Sequence, residues 1–103
     1  MAAEPDISLT LETDATGGTL RVSPRIESGR GRALRYELLS EKTAGASRSS
    51  TRQAGRVHAN PGQATALTTL SLSLNPGDRY TVTFRLYEDD TLIVERVLVY
   101  PRE

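Results

Sequence analysis

The sequence predicts an all-β fold, a seven-stranded β-sandwich, and three observations carry that expectation. Apolar residues recur with a period of two, turn-forming residues separate the alternating runs, and no run shows the i, i+3, i+4 apolar spacing of an amphipathic helix. At 103 residues the chain is expected to be one domain over residues 1–103 with a small core, and residues 1–5 and 101–103 are expected to be frayed ends.

The elements follow in order, and the first two strands are expected near 6–12 and 19–26. The run "ISLTLE" puts Ile7, Leu9 and Leu11 on one side, and "TLRVSPRI" does so with Leu20 and Val22. Pro24 lacks a backbone donor, which argues for a bulge or an edge position. The third strand, near 33–40, sets Leu34, Tyr36 and Leu38 against Arg35 and Glu37. The polar segment from Glu41 to Ser47 carries no period and reads as a mobile loop. In "RSSTRQAGRV", Ser, Thr and Gly disfavour a helix interior. As a strand near 47–57 it places Arg48, Ser50, Arg52, Ala54 and Arg56 on one side. Ser49, Thr51, Gln53, Gly55 and Val57 then share the other. Neither side is apolar enough for a central position, so this is expected to be an edge strand.

The fifth strand, near 64–74, carries Leu70, Leu72 and Leu74; the sixth, near 79–87, sets Tyr80, Val82, Phe84 and Leu86 against polar residues. The seventh, near 91–100, is apolar on both sides except at Glu95 and Arg96, where a twist or bulge is expected. Turns are expected at "TGG" (Thr16–Gly18), "EDDT" (Glu88–Thr91) and the two "NPG" corners, Asn60–Gly62 and Asn75–Gly77. The stretch "LNPGDRYTVTF" is the most specific local signal. A Leu, a Pro-Gly corner and a Tyr six residues after that Leu resemble the tyrosine corner of immunoglobulin-like and fibronectin type III-like sandwiches. Leu74, Pro76, Gly77 and Tyr80 would form it.

Composition narrows function. Thirteen bases balance thirteen acids, but unevenly: there are four acids and no base up to Leu20, and nine bases against three acids from Arg21 to Arg56. A basic middle in a neutral chain attracts acidic partners locally. Twelve of the thirteen bases are Arg, the side chain suited to forked carboxylate contacts. With no Cys, disulfides, thiolate metal sites and thiol nucleophiles are excluded. His58, the single histidine, is expected in a solvated turn, and "EDD" at Glu88–Asp90 in a hairpin tip; neither suggests a metal. No serine has a nucleophile-elbow context, and "TGG" and "SGRGR" lack the setting of a phosphate cradle. The chain is therefore expected not to be an enzyme, with no cofactor and no metal. Tyr36, Tyr80 and Phe84 fall on core faces, which leaves little for base stacking and argues against nucleic acid. No apolar run reaches the roughly 20 residues a membrane span needs, and no leader pattern opens the chain.

The stretch "SSTRQAGRV" followed by "ANPGQATALTTLSLSLNPGDRYTVTFRLYEDDTLIVER" resembles the curli assembly inhibitors of the CsgC/CsgH type, and looks closest to the CsgH branch. The resemblance covers roughly residues 33–97. It implies a small periplasmic immunoglobulin-like domain, a monomer with its leader removed, that keeps the major curli amyloid subunit from assembling. It implies Ser49, Gln53 and Gly55 as motif positions, with Arg48, Arg52, Arg56 and Arg35 as the client-binding surface. The CsgC branch carries a Cys-x-Cys pair that this chain lacks, so the redox role that branch suggests has no basis here. An immunoglobulin-like adhesion or carbohydrate-binding accessory module is the alternative. It would display exposed aromatics, for which Tyr87 and Tyr100 are the candidates.

Overall fold

The computed structural model describes residues 7–101, which form eight strands and no helix. In chain order these are β1 (Ile7–Thr16), β2 (Thr19–Ser28), β3 (Arg32–Ala44), β4 (Ser47–Ala59), β5 (Ala64–Ala66), β6 (Leu70–Ser73), β7 (Arg79–Glu88) and β8 (Thr91–Tyr100). They make two antiparallel sheets, the all-β, immunoglobulin-like sandwich class the alternation predicts. By their contacts the residues fall into two compact units. One holds the chain up to Ala33 together with Val57–Leu74; the other holds Leu34–Arg56 and the chain from Asn75.

In the first unit β2 is central, with β1 on one side and β5 and β6 on the other. Its alternation is complete: Leu20, Val22, Pro24, Ile26 and Ser28 are buried, and the residues between them are not. Pro24 thus sits inside a central strand and not at an edge, while the expected bulge lies opposite it, where Ser23 and Pro24 face three residues, Leu67–Thr69. The Pro24 carbonyl accepts a hydrogen bond from Leu67 N–H at 3.2 Å. The N–H and C=O of one residue point to the same side of an antiparallel strand. The donor that proline lacks therefore falls where the partner is interrupted. That interruption divides the strand expected over 64–74 into β5 and β6, which raises the count from seven to eight.

In the second unit the order is β4-β3-β7-β8. Tyr80, Val82, Phe84 and Leu86 of β7 are buried beside Leu34 and Leu38 of β3, as their period predicts. Each large apolar side chain so buried contributes about 1.5–3 kcal/mol. The segment 41–47, expected as a mobile loop, is instead the far end of a hairpin. β3 runs to Ala44, Gly45 and Ala46 turn, and β4 starts at Ser47. Side chains of mixed polarity hide this from periodicity, but they hold the extension: Ser40 bonds the Thr51 hydroxyl across the strands, and Lys42 reaches Asp78. β8 does carry an irregularity, but earlier than expected: the register shifts between Leu86 and Tyr87, leaving Ile93 as the extra residue, whereas Glu95 and Arg96 pair regularly with Arg85 and Phe84. Of the residues expected to fray, only Pro101 lies among those described.

Two expected hairpin connections form as read. Gly17 and Gly18 join β1 to β2, and Asp89 and Asp90 join β7 to β8 with φ of 49° and 64°. Two positive φ values in a two-residue loop match the twist of a hairpin. His58, placed in a turn by the sequence, is an exposed residue within β4.

Candidate functional site

β4 is an edge strand, as the lack of an apolar side predicted. Its two sides divide as read: Gly55 lies against Tyr36, and Thr51 bonds the buried Ser40. Ser49, Gln53 and Gly55 belong to that inward-turned set, with Gln53 and Gly55 half-buried. Arg48, Arg52 and Arg56 take the exposed side. The implied client-binding set is thus divided between two faces, and Ser49, Gln53 and Gly55 do not join the arginine row. Gly55 has a packing reason. A Cβ there would lie 2.7 Å from the Tyr36 hydroxyl oxygen and 2.9 Å from two ring carbons. The Tyr36 ring is in turn stacked on Phe84, 6.3 Å between centroids and 8° from parallel.

The arginine row is only partly free. Arg52 donates to Glu37 on β3, so one of the three positive charges is met within the sheet. Glu37 is a hub whose side chain is 12% exposed. Tyr87 donates its hydroxyl to the other carboxylate oxygen at 3.1 Å, and Arg35 approaches within 3.8 Å. These donors, Arg52 first, hold the Glu37 carboxyl below its usual range against the opposing effect of burial. Arg35 also covers the Tyr87 ring, 4.3 Å from its centroid, and lies 3.8 Å from Asp90. Glu37 faces Arg85 across β3 and β7, and Arg85 bonds Glu95 of β8 at 2.7 Å. Charge therefore alternates across all four strands, Arg52, Glu37, Arg85, Glu95. Arg48 and Arg56 have no ion pair among the described residues and stay exposed.

The sequence placed Glu37 on the correct side of β3 but gave no sign of its partners. Those depend on which residues come opposite one another, which alternation within one strand does not encode. Asp78 was missed for a related reason. In the turn Asn75–Asp78, Asp78 N–H donates to the Asn75 carbonyl at 3.0 Å, and Gly77 takes φ of 87°, which its lack of Cβ allows. Asp78, only 8% exposed, accepts from Asn75 N–H at 2.9 Å and pairs with Lys42 at 3.2 Å. The Asn75 amide lowers its carboxyl and the Asp78 hydrogen bond raises the Lys42 ammonium. Tyr80 is buried directly after this turn, with Lys42 Nζ 5.8 Å from its ring centroid. Leu74, Pro76, Gly77 and Tyr80 thus flank a corner whose lock is Asp78.

A groove of about 680 Å³ runs along the β3–β4 hairpin, lined by Leu39, Lys42, Arg48, Ser50 and Arg52 among others. It is open and its lining is mixed, with Lys42, Arg48 and Arg52 beside Glu41 and Leu39. Among the described residues no three His, Cys, Asp or Glu side chains gather to hold a metal ion, and no helix is long and apolar enough to cross a membrane.

Fold and edge together define the class: an all-β, immunoglobulin-like domain with an arginine-bearing edge strand. Among solved structures the chain is similar to the E. coli curli protein CsgC, at 22% identity and a TM-score of 0.73, over 93% of this chain and 99% of that one. It is also similar to R. palustris CsgH, at 22% identity and a TM-score of 0.68, over 89% and 90% of the two chains. Both are of the CsgC/CsgH type named from the sequence, and the two branches stand at equal identity. Such a likeness establishes a common fold. No protein-family model matches the sequence, and no curated protein matches it.

Proposed function

We propose that this chain is a curli-related anti-amyloid chaperone that acts outside the cytoplasm, in the periplasm. Its client is the major curli amyloid subunit, unfolded or prefibrillar, and its action is to suppress nucleation through transient, electrostatically guided contacts. The observation that carries the reading is a pair of exposed arginines, Arg48 and Arg56, without an ion pair among the described residues, on an edge strand of a fold shared with a curli protein. Ser49, Gln53 and Gly55 shape that strand. The role needs no cofactor and no covalent step.

Magnitudes decide what kind of contact this is. Exposed ion pairs contribute about 0.2–1 kcal/mol each, so two free arginines supply at most about 2 kcal/mol. Binding at a millimolar dissociation constant already requires about 4 kcal/mol. The arginines therefore guide encounters and do not hold a client. Fleeting encounters suffice when the species intercepted is a scarce early nucleus. The adhesion or carbohydrate reading loses one of its two aromatic candidates, because Arg35 lies over the Tyr87 ring.

The test adds the purified domain, well below equimolar, to a curli-type subunit and follows fibril growth by dye fluorescence. A lengthened lag is expected, shortened again by raised salt and by Arg48→Glu with Arg56→Glu. An unchanged lag with the parent protein overturns the function. A charge-reversed variant that delays fibrils equally well overturns the arginine mechanism alone.

A further inference from the structure

β8 ends the sheet opposite β4, and among the described residues no strand pairs with its far side. A free edge of this kind is a template for another strand. The three exposed large hydrophobic residues among those described all lie on it: Leu92 at 46%, Val97 at 59% and Val99 at 48%. The register fixes their side. Val97 and Val99 are opposite Thr83 and Thr81 of β7, on the side that also carries Glu95 and Arg85. Leu98 and Tyr100, opposite Val82 and Tyr80, are half-buried on the other.

Charge selects the occupant. When an antiparallel strand pairs with its own copy about a two-fold axis, residues on the same side come opposite one another. An axis at Glu95 sets two carboxylates face to face, and an axis at Arg96 sets two guanidinium groups face to face; like charges directly opposite destabilise a pair. Axes at Val97 and at Leu98 both avoid this, but one at Val97 sets Glu95 against Val99 and Arg96 against Leu98, charge against apolar side chain, so Leu98 is favoured. The Leu98 axis brings each Val97 against the partner copy's Val99 on the exposed side. On the other side it brings Leu98 against Leu98 and each Arg96 against a Tyr100 ring, a favourable cation–aromatic pairing. We propose that β8 is a self-pairing edge, through which two copies of this chain join antiparallel about Leu98 with Val97 opposite Val99.

Five residues of one strand bury far less than the roughly 800 Å² per partner of a standard interface. The dimer is therefore weak and reversible, forming toward about 1 mM, and the monomer expected from the sequence is the dilute form. Pairing covers the aggregation-prone edge and leaves Arg48 and Arg56 accessible.

Sedimentation equilibrium from about 0.05 to 2 mM reads the mass. The expected result is a rise from 11.2 kDa toward twice that value, with concentration-dependent amide shifts confined to Arg96–Tyr100. Val97→Lys with Val99→Lys sets lysine against lysine at both contacts and is expected to abolish association. Val97→Lys with Val99→Glu sets lysine against glutamate at both and is expected to restore it. These positions are exposed, so circular dichroism is expected to match the parent. A monomer at every concentration overturns the proposal, as does association that survives the double lysine. Failure of the lysine–glutamate variant to associate overturns the register. If the β8 amides respond only to added amyloid subunit, the occupant is a client strand and the self-pairing is wrong.

Discussion

β4 and β8 close the two ends of one sheet, and among the described residues neither has a strand on its outer side, yet their side chains differ sharply. β4 offers Arg48, Arg52 and Arg56 on its exposed side and small residues elsewhere. β8 offers Leu92, Val97 and Val99, with Glu95 and Arg96 interrupting them. Charge on an edge repels a second strand, because pairing would strip water from the guanidinium groups and set them beside one another. Apolar edge residues gain from being covered. The difference teaches that the two edges suit different partners. On the function proposed above, β4 would attract an acidic chain at long range, whereas an edge such as β8 gains only from close strand contact.

The largest expected effect breaks the β4 side of that contrast. Gly55→Ala places a methyl group within 3 Å of Tyr36 atoms, and the ring can withdraw only by leaving its stack on Phe84. Overpacking of this kind costs about 1–3 kcal/mol. Urea denaturation is expected to show that loss, and hydrogen exchange is expected to accelerate in β4 and β3 ahead of β8. Equal acceleration in β8 would mean that Gly55 supports the whole sheet and not the one edge.

A smaller change sharpens the contrast. Glu37→Gln removes the charge that neutralises Arg52 and draws in Arg35, while Tyr87 keeps a hydrogen-bond acceptor. The cost in stability is expected at about 1 kcal/mol, near the upper end for a partly exposed ion pair. Function is expected to move the other way. With Arg52 released, the β4 edge gains a third free positive charge, and the lag before fibril growth is expected to lengthen relative to the parent. A shortened lag in a folded variant would mean that Glu37 orders the contact surface and does not merely mask it.

The sequence made these edges legible to different degrees, for physical reasons. A side chain's position within one strand follows from a period of two, so the arginine row on β4, the buried set on β7 and the exposed side of Glu37 could all be read. The partners of Glu37 could not, because register is a relation between strands set by packing and turns. Residues 41–47 were hidden because a hairpin end with polar side chains on both sides has no apolar period. Its holding contacts, Ser40 to Thr51 and Lys42 to Asp78, are tertiary. Pro24 misled about the edge for the opposite reason. Proline is a strong local signal, and the structure met it by interrupting the neighbouring strand at Leu67–Thr69, leaving β2 whole. On the opposite edge, the apolar side chains of β8 were plain in the sequence, but whether they were covered depended on strand order.

The smallest expected effect concerns pH, and it falls on the β4 side alone. Asp78 is held below the ordinary carboxyl value of 3.8, first by the Asn75 amide and then by Lys42. A depressed folded value means the unfolded chain binds the proton more readily, so this stabilisation is present above about pH 4 and fades as pH falls through the folded value. Lys42 is raised above 10.5 by Asp78, so its share is complete below that pH and fades as pH rises through the raised value. Between those limits both groups are charged and the contribution is flat. Lys42 lies near the end of β3, beside the turn into β4, so acid is expected to lower protection against hydrogen exchange, relative to the intrinsic rate at each pH, at 40–50 before it does so at Thr91–Tyr100. Asp78→Asn keeps an acceptor for the Asn75 amide but loses the pairing with Lys42. In that variant protection at 40–50 is expected to be lower at neutral pH and to respond less to acid. An unaltered acid response would assign it to Glu37, whose carboxyl is also depressed, and the Asp78 lock would then count only for the turn.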